Sequence, residues 1–473
     1  MCRIFAIDIL NKRMEQESHK DQDKINALIE RYEKMLEGEF QSFFDSYEFE
    51  DIVEHYIDNG QLGEAMASMD IAYEQYPFSA SFLIKKAQIL TILERLNEAE
   101  KALEIAQTLE PSNVDLHIAK GSILSKRKKH HKALKYFHKA QALSDEPIEV
   151  HPFIAFEYQC LGKFQDAIKF LSEFLITEPE DDIAIFNIAY CFERLDAYDE
   201  AITFFTNLIE KAPYCEIAWY QLGLFYNKSK DYKNAVWALD YALLIDECFT
   251  AGYHEKARSL TQLGEIQEAI NTYLLTFAFE EATGYTYLKI GLCYKDLLKF
   301  KQAIRYFTKA SHQDPQLSEA WMEIGLCYDA LGSTEEALYN IKKALNLNPD
   351  DLEYLYIQTG IFQKVGLYAE ADLAYQRLIE LGCDAPTIWI EYADLVYSQN
   401  ETKDAINLLK QGLIVNKDHI DLLTNLVAYS FYGKEFTTAS SALKKALEVD
   451  SESLEKLYTL FPELEHNKDF KLI

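Results

Sequence analysis

The sequence predicts an all-α solenoid of twelve stacked two-helix units, and three observations carry that prediction. An alanine recurs every 34 residues without a miss: Ala65, Ala99, Ala133, Ala167, Ala201, Ala235, Ala269, Ala303, Ala337, Ala371, Ala405 and Ala439. Within each period, apolar residues recur at helical spacing along two successive segments. Six of the ten prolines share one boundary position, Pro77, Pro111, Pro179, Pro213, Pro315 and Pro349, where each can end a helix or open a turn. A fixed period of this length marks supersecondary units that bury their apolar faces only against their neighbours. Length alone, 473 residues, suggests about three ordinary domains, but the repeat overrides that prior.

The elements follow in order. Residues 1–21 open with MCRIFAIDIL, an apolar run broken by Asp8 and followed by a polar stretch in which Met14 is an alternative start. No small-residue cleavage site follows, so this is read as a flexible polar N-terminus and not a secretory signal. Residues 22–45 place Ile25, Leu28, Ile29, Tyr32 and Leu36 at helical spacing without the alanine signature, which predicts an amphipathic capping helix. Residues 46–453 hold the twelve units without insertion or deletion. In the cleanest, Ser318 to Asp351, the residues Trp321, Ile324, Gly325 and Tyr328 form one face of a first helix. Gly332 marks its end, and Ala337, Ile341 and Ala344 form the face of a second helix. Residues 454–473 begin as another first helix over Leu454–Leu460, but Pro462 forestalls a partner, which predicts a C-terminal cap and tail.

These residues resemble the tetratricopeptide repeat family. The eighth position of the family's register is small, and here it is Ala or Gly in nine of twelve units, with Val53, Thr359 and Val427 as exceptions. The twenty-fourth position is apolar or aromatic throughout, from Met69 through Phe137, Phe205 and Phe307 to Leu443. Lys86, Lys120, Lys256 and Gln358 stand at the seventh position, where the family has leucine, so looser packing is expected there. The resemblance implies a right-handed superhelix whose first helices line a concave groove.

Composition bounds the chemistry. Formal net charge is −30, which repels nucleic acid and anionic membranes as a whole-molecule effect. No Walker-type loop, GxGxxG, GxSxG or HExxH occurs, so neither an enzyme nor a cofactor or metal site is expected. The eight cysteines form no CxxC pair, and Cys191, Cys293 and Cys327 share the tenth position on the buried helix face. They read as apolar core residues of a protein in a reducing cytoplasm. His131 and His138 read as surface residues. A basic run, Lys126 to Lys132 with Lys135, His138 and Lys139, is expected mostly on the convex side, as a solvated turn or a dock for an acidic partner or a second copy.

The family's groove positions nominate a partner surface. Its first unit gives Glu50, Asp51, Glu54 and Asp58, an acidic rim. The candidate contacts are Phe153, Phe156, Phe186, Asn187, Tyr190, Arg194, Tyr220, Gln221, Arg258, Lys289 and Tyr356. Around them lie Ile183, Ile217, Leu224, Tyr285, Leu288, Leu292, Met322, Leu326 and Ile357, with Asn227, Lys228 and Lys295 as further polar groups. The family's clamp for acidic chaperone C-termini is not present. Asn187 holds its sixth position, but Pro152, Phe156, Ile217 and Gln221 replace the required Lys, Asn, Lys and Arg. Asn425 is likewise preceded by Ile390 and Asp394. The expected role is a non-enzymatic scaffold that binds a peptide or partner helix in its groove. The alternative is a self-associating structural protein using the apolar face or the caps.

Overall fold

The computed structural model describes residues 24–38 and 43–472, and expectations for residues 1–21 lie outside them. Every regular element described is helical. The chain forms two compact units, one ending at Glu247 and one from Cys248 onward. The first holds α1 (24–36) and six hairpins. These are α2 (Ser46–Asp58) with α3 (Leu62–Gln75), α4 (Ala80–Ile92) with α5 (Leu96–Leu109), and α6 (Val114–Lys126) with α7 (His130–Leu143). Then come α8 (His151–Cys160) with α9 (Phe164–Thr177), α10 (Asp182–Arg194) with α11 (Tyr198–Lys211), and α12 (Glu216–Lys228) with α13 (Tyr232–Ile245).

The second unit holds six more hairpins and a final helix. Its pairs are α14 (Thr250–Leu263) with α15 (Ile266–Leu275), α16 (Gly284–Asp296) with α17 (Phe300–Gln313), and α18 (Ser318–Ala330) with α19 (Thr334–Leu347). They continue with α20 (Leu352–Lys364) and α21 (Tyr368–Glu380), α22 (Pro386–Ser398) and α23 (Thr402–Val415), and α24 (Ile420–Tyr432) and α25 (Phe436–Val449), followed by α26 (Ser453–Leu460). Of the span 22–45 expected to form a capping helix, 24–36 is helical and contains all five patterned residues, and Gly38 at φ +80° follows its end. Ile29 and Tyr32 of α1 are buried against Phe44, Phe49 and Ile52, while Leu36 is left exposed.

All twelve ladder alanines are completely buried. They lie where the two helices of a hairpin cross. A Cβ placed on Gly325 in α18 would stand 3.1 Å from the Ala337 carbonyl oxygen in α19, and one on Gly223 in α12 would stand 3.4 Å from that of Ala235 in α13. The same glycines seat the twenty-fourth residue. A Gly325 Cβ would come within 2.6 Å of Ile341, and a Gly121 Cβ within 2.5 Å of the Phe137 ring. A missing methyl on the first helix therefore makes room for a large side chain on the second. The seventh-position Lys86, Lys120, Lys256 and Gln358 are only partly buried, and Lys86 reaches Asp70.

Each hairpin turns through a left-handed residue at the same position. Gly60, Glu94, Lys128, Gly162, Asp196, Lys230, Gly264, Leu298, Gly332, Gly366, Asn400 and Lys434 all have positive φ. The next N–H donates back to the carbonyl five residues earlier, as in Lys163 to Tyr158 at 2.9 Å and Ser333 to Tyr328 at 2.9 Å, which is Schellman closure. A non-glycine residue pays about 1–2 kcal/mol there. Gly332→Val is therefore expected to lower stability by about 1–2 kcal/mol. Leu298, 74% exposed at φ +56°, loses little packing, so Leu298→Gly is expected to be neutral or stabilising by up to about 1 kcal/mol. Urea midpoints of the two variants check the pair; equal losses at both positions would show that the turn carries no strain.

Candidate interaction grooves

In the first unit, the first helices α4, α6, α8 and α10 and the second helix α7 enclose a cavity of about 440 Å³. Phe153 and Phe156 project from α8, and Ile183 and Asn187 meet them from α10. The aromatic rings are about half exposed, Phe153 at 41% and Phe156 at 52%. Phe153 is held by stacking on Phe137, with centroids 5.5 Å apart. Asn187 is less available than its position suggested. Its side-chain amide donates to the Ile183 backbone carbonyl at 2.8 Å, and its backbone carbonyl accepts from Gln159 at 3.1 Å.

One turn along α10 stand Phe186 and Tyr190, each 47% exposed. Tyr190 meets the edge of Phe164, 5.9 Å between centroids. The Arg194 guanidinium lies 5.5 Å over the same ring, so ring and cation are preorganised together. Tyr220 on α12 is partly buried.

The register overreached at several positions. Gln221 is only 5% exposed and packs inside α12 with Ile217 and Asn227, instead of facing a partner. Leu288 and Met322 are also buried. Successive first helices touch, α10 against α12 and α4 against α6, and a periodic pattern does not reveal how closely they approach. Leu224, Leu292 and Leu326 are partly buried, as expected of the ninth position, which lies close to the helix interface.

In the second unit, α14, α15 and α16 enclose a cavity of about 460 Å³ whose walls are charged. It brings together Arg258 and Lys289 with Tyr285, Lys295 and Asp296. Arg258 is exposed and pairs with Glu255 at 2.7 Å. The Lys289 ammonium lies 4.9 Å over the Tyr285 ring. Lys295 is committed elsewhere, to both Glu323 carboxylate oxygens at 2.6 and 2.8 Å. Burial pushes up the thiol of Cys293, which also lines this cavity. Tyr356 stands apart on α20, 39% exposed, and donates to Glu391 at 2.9 Å.

Two features escaped the sequence. Part of the basic run is more than a solvated turn: Lys126 and His130 line the first cavity beside Phe153 and Phe156. The second is Glu157, fully buried at the tenth position of its unit. Elsewhere that position holds residues such as Ile89, Cys191, Phe225 and Cys327, and no other unit places a carboxylate there. That departure was legible and is the signal that could have found it. Cys160, next to it in the cavity, has its thiol pushed up by lost hydration and by the Glu157 charge, which works against a thiolate nucleophile.

Among the described residues no helix is long and apolar enough to cross a membrane, and no group of His, Cys, Asp and Glu is arranged to hold a metal ion. Sequence profiles of the tetratricopeptide repeat match residues 158–214, 285–316 and 318–351. No curated protein sequence matches the chain. Solved structures similar to it include the APC/C hetero-tetramer Cut9–Hcn1, at 13% identity over 85% of this chain and 90% of that one, with a TM-score of 0.36. The C-terminal part of a TPR repeat-containing protein from Cytophaga hutchinsonii is 16% identical over 50% and 98% of the two chains, with a TM-score of 0.44. YrrB, described as a TPR protein with an unusual peptide-binding site, is 21% identical over 40% and 97%, with a TM-score of 0.35. Matching profiles in both units, on hairpins that repeat every 34 residues around a buried alanine, identify tetratricopeptide repeats in this chain.

Proposed function

We propose that the chain is a non-enzymatic, cytoplasmic scaffold that receives a segment of another protein on the first helices of its first unit. The observation that carries this reading is the set of half-exposed aromatic rings on two neighbouring first helices, Phe153 and Phe156 on α8 and Phe186 and Tyr190 on α10, two of them opening into a cavity. Rings already held by Phe137 and Phe164 lose little freedom on binding, which is what aromatic anchors need. Arg258 and Lys289 offer a second, polar contact area in the other unit. The net charge of −30 favours a protein partner over nucleic acid. Burial pushes the Cys215 thiol up to about 11 and that of Cys327 up to about 12, in keeping with cysteines used as core residues.

The test is a peptide library selected on the full chain, followed by titration of the best binder. Replacing Phe153, Phe156 and Phe186 together by Glu is expected to weaken it by at least ~30-fold while far-UV circular dichroism stays unchanged. Undiminished binding would remove the groove reading. Light scattering of both proteins separates self-association: a wild-type oligomer that the triple variant dissociates would assign the surface to a second copy.

A further inference from the structure

Glu157 breaks the rule of its own repeat. It stands on α8 at a core position, its side chain fully buried. Its Oε2 accepts from His130 Nδ1 at 2.8 Å, and its Oε1 has no hydrogen-bond donor among the described residues. A buried carboxylate oxygen without a donor destabilises a fold, and an apolar residue of similar size avoids that cost. Eleven other units do without a carboxylate here. A local rule broken with His130 compensating only one of the two oxygens is the mark of a functional position. The residue lines the cavity that also exposes Phe153 and Phe156.

Resting on the groove reading above, we propose that Glu157 selects the partner: the docked segment carries a Lys or Arg side chain flanked by apolar residues, and its cation donates to Oε1. The Phe153 and Phe156 rings that line the cavity add cation–π attraction. The charge of −30 on the whole chain steers a cation in the same direction. The groups that oppose it are Lys126 and His130, which share the cavity. Lys126 is exposed and screened by water and salt, whereas the carboxylate acts from the protein interior, where charge interactions are stronger. A basic side chain therefore outweighs an acidic one at this site.

The experiment titrates a library-selected peptide and its norleucine analogue, in which the basic residue is replaced, against the full-length protein and its variants. For the wild type the analogue is expected to bind about 10-fold more weakly, and for Glu157→Leu the two peptides are expected to bind alike. Glu157→Gln, which keeps an acceptor for His130, is expected to lose most of the preference and serves if the leucine variant does not fold. Lys126→Ala is expected to tighten the basic peptide, the opposite of its effect on an acidic one. The proposal is overturned if selected peptides lack a basic residue, or if the preference survives in both Glu157 variants. If Phe153→Glu/Phe156→Glu abolishes binding in that case, the groove stands and only the role of Glu157 falls. If that variant also binds normally, the groove itself is wrong.

Discussion

Phe307→Ala is expected to cost the second unit about 3–5 kcal/mol, the upper range for truncating a core aromatic. Phe307 on α17 is completely buried. Its ring lies against Gly291 on α16 so closely that even a methyl there would overlap it. Removing the ring leaves a cavity that the two helices are poorly able to close, since Ala303 and Ala310 already lie fully buried along α17. In a repeat stack each hairpin depends on its neighbours, so α18, which α17 contacts, is expected to lose protection with it. Urea unfolding together with amide hydrogen exchange checks this. A loss below about 1 kcal/mol, typical of an ordinary substitution, would show that the Gly291–Phe307 seat is not tightly packed.

Ala337→Leu tests the ladder from the opposite side, by adding atoms. Overpacking costs about 1–3 kcal/mol and sometimes more, and the upper part of that range is expected here. The Ala337 carbonyl already stands 3.1 Å from the place of a Gly325 Cβ, so the longer side chain has to part the backbones of α18 and α19. Lys342→Leu on the exposed face of α19 is the control, since it makes a similar change outside the crossing and should stay within about 0.5 kcal/mol. Equal shifts in the two midpoints would remove the close-crossing account of the alanine period.

Much of this architecture is legible in the sequence. In the unit from Ser318, the apolar spacing predicted a first helix ending before Gly332 and a second helix through Ala344, and the helices run Ser318–Ala330 and Thr334–Leu347. Helical periodicity reports which side of a helix is buried, and a constant period reports that every unit buries the same side. The candidate site was legible in part for the same reason. Phe153, Phe156, Ile183 and Asn187 do meet around one cavity, and Arg258 and Lys289 around another. Gln221 had the same standing in the register but lies inside, because the approach of one hairpin to the next is not written into either hairpin alone.

The sequence by itself determined the helical class, the pairing of each first helix with its second, and the residues at each crossing. It could do so because these depend on side-chain size and apolar spacing, which a repeated pattern displays directly. Only the tertiary structure decided the rest. Glycine signalled five of the twelve left-handed turns and Asp196 and Asn400 tolerate that conformation, whereas Glu94, Lys128, Lys230, Leu298 and Lys434 adopt it against their own preference. Closing a hairpin around a buried alanine imposes that turn whatever residue occupies it. Packing of successive hairpins likewise brings Lys126 and His130 from a basic turn into an aromatic cavity, facing a carboxylate that the repeat pattern alone would have made apolar.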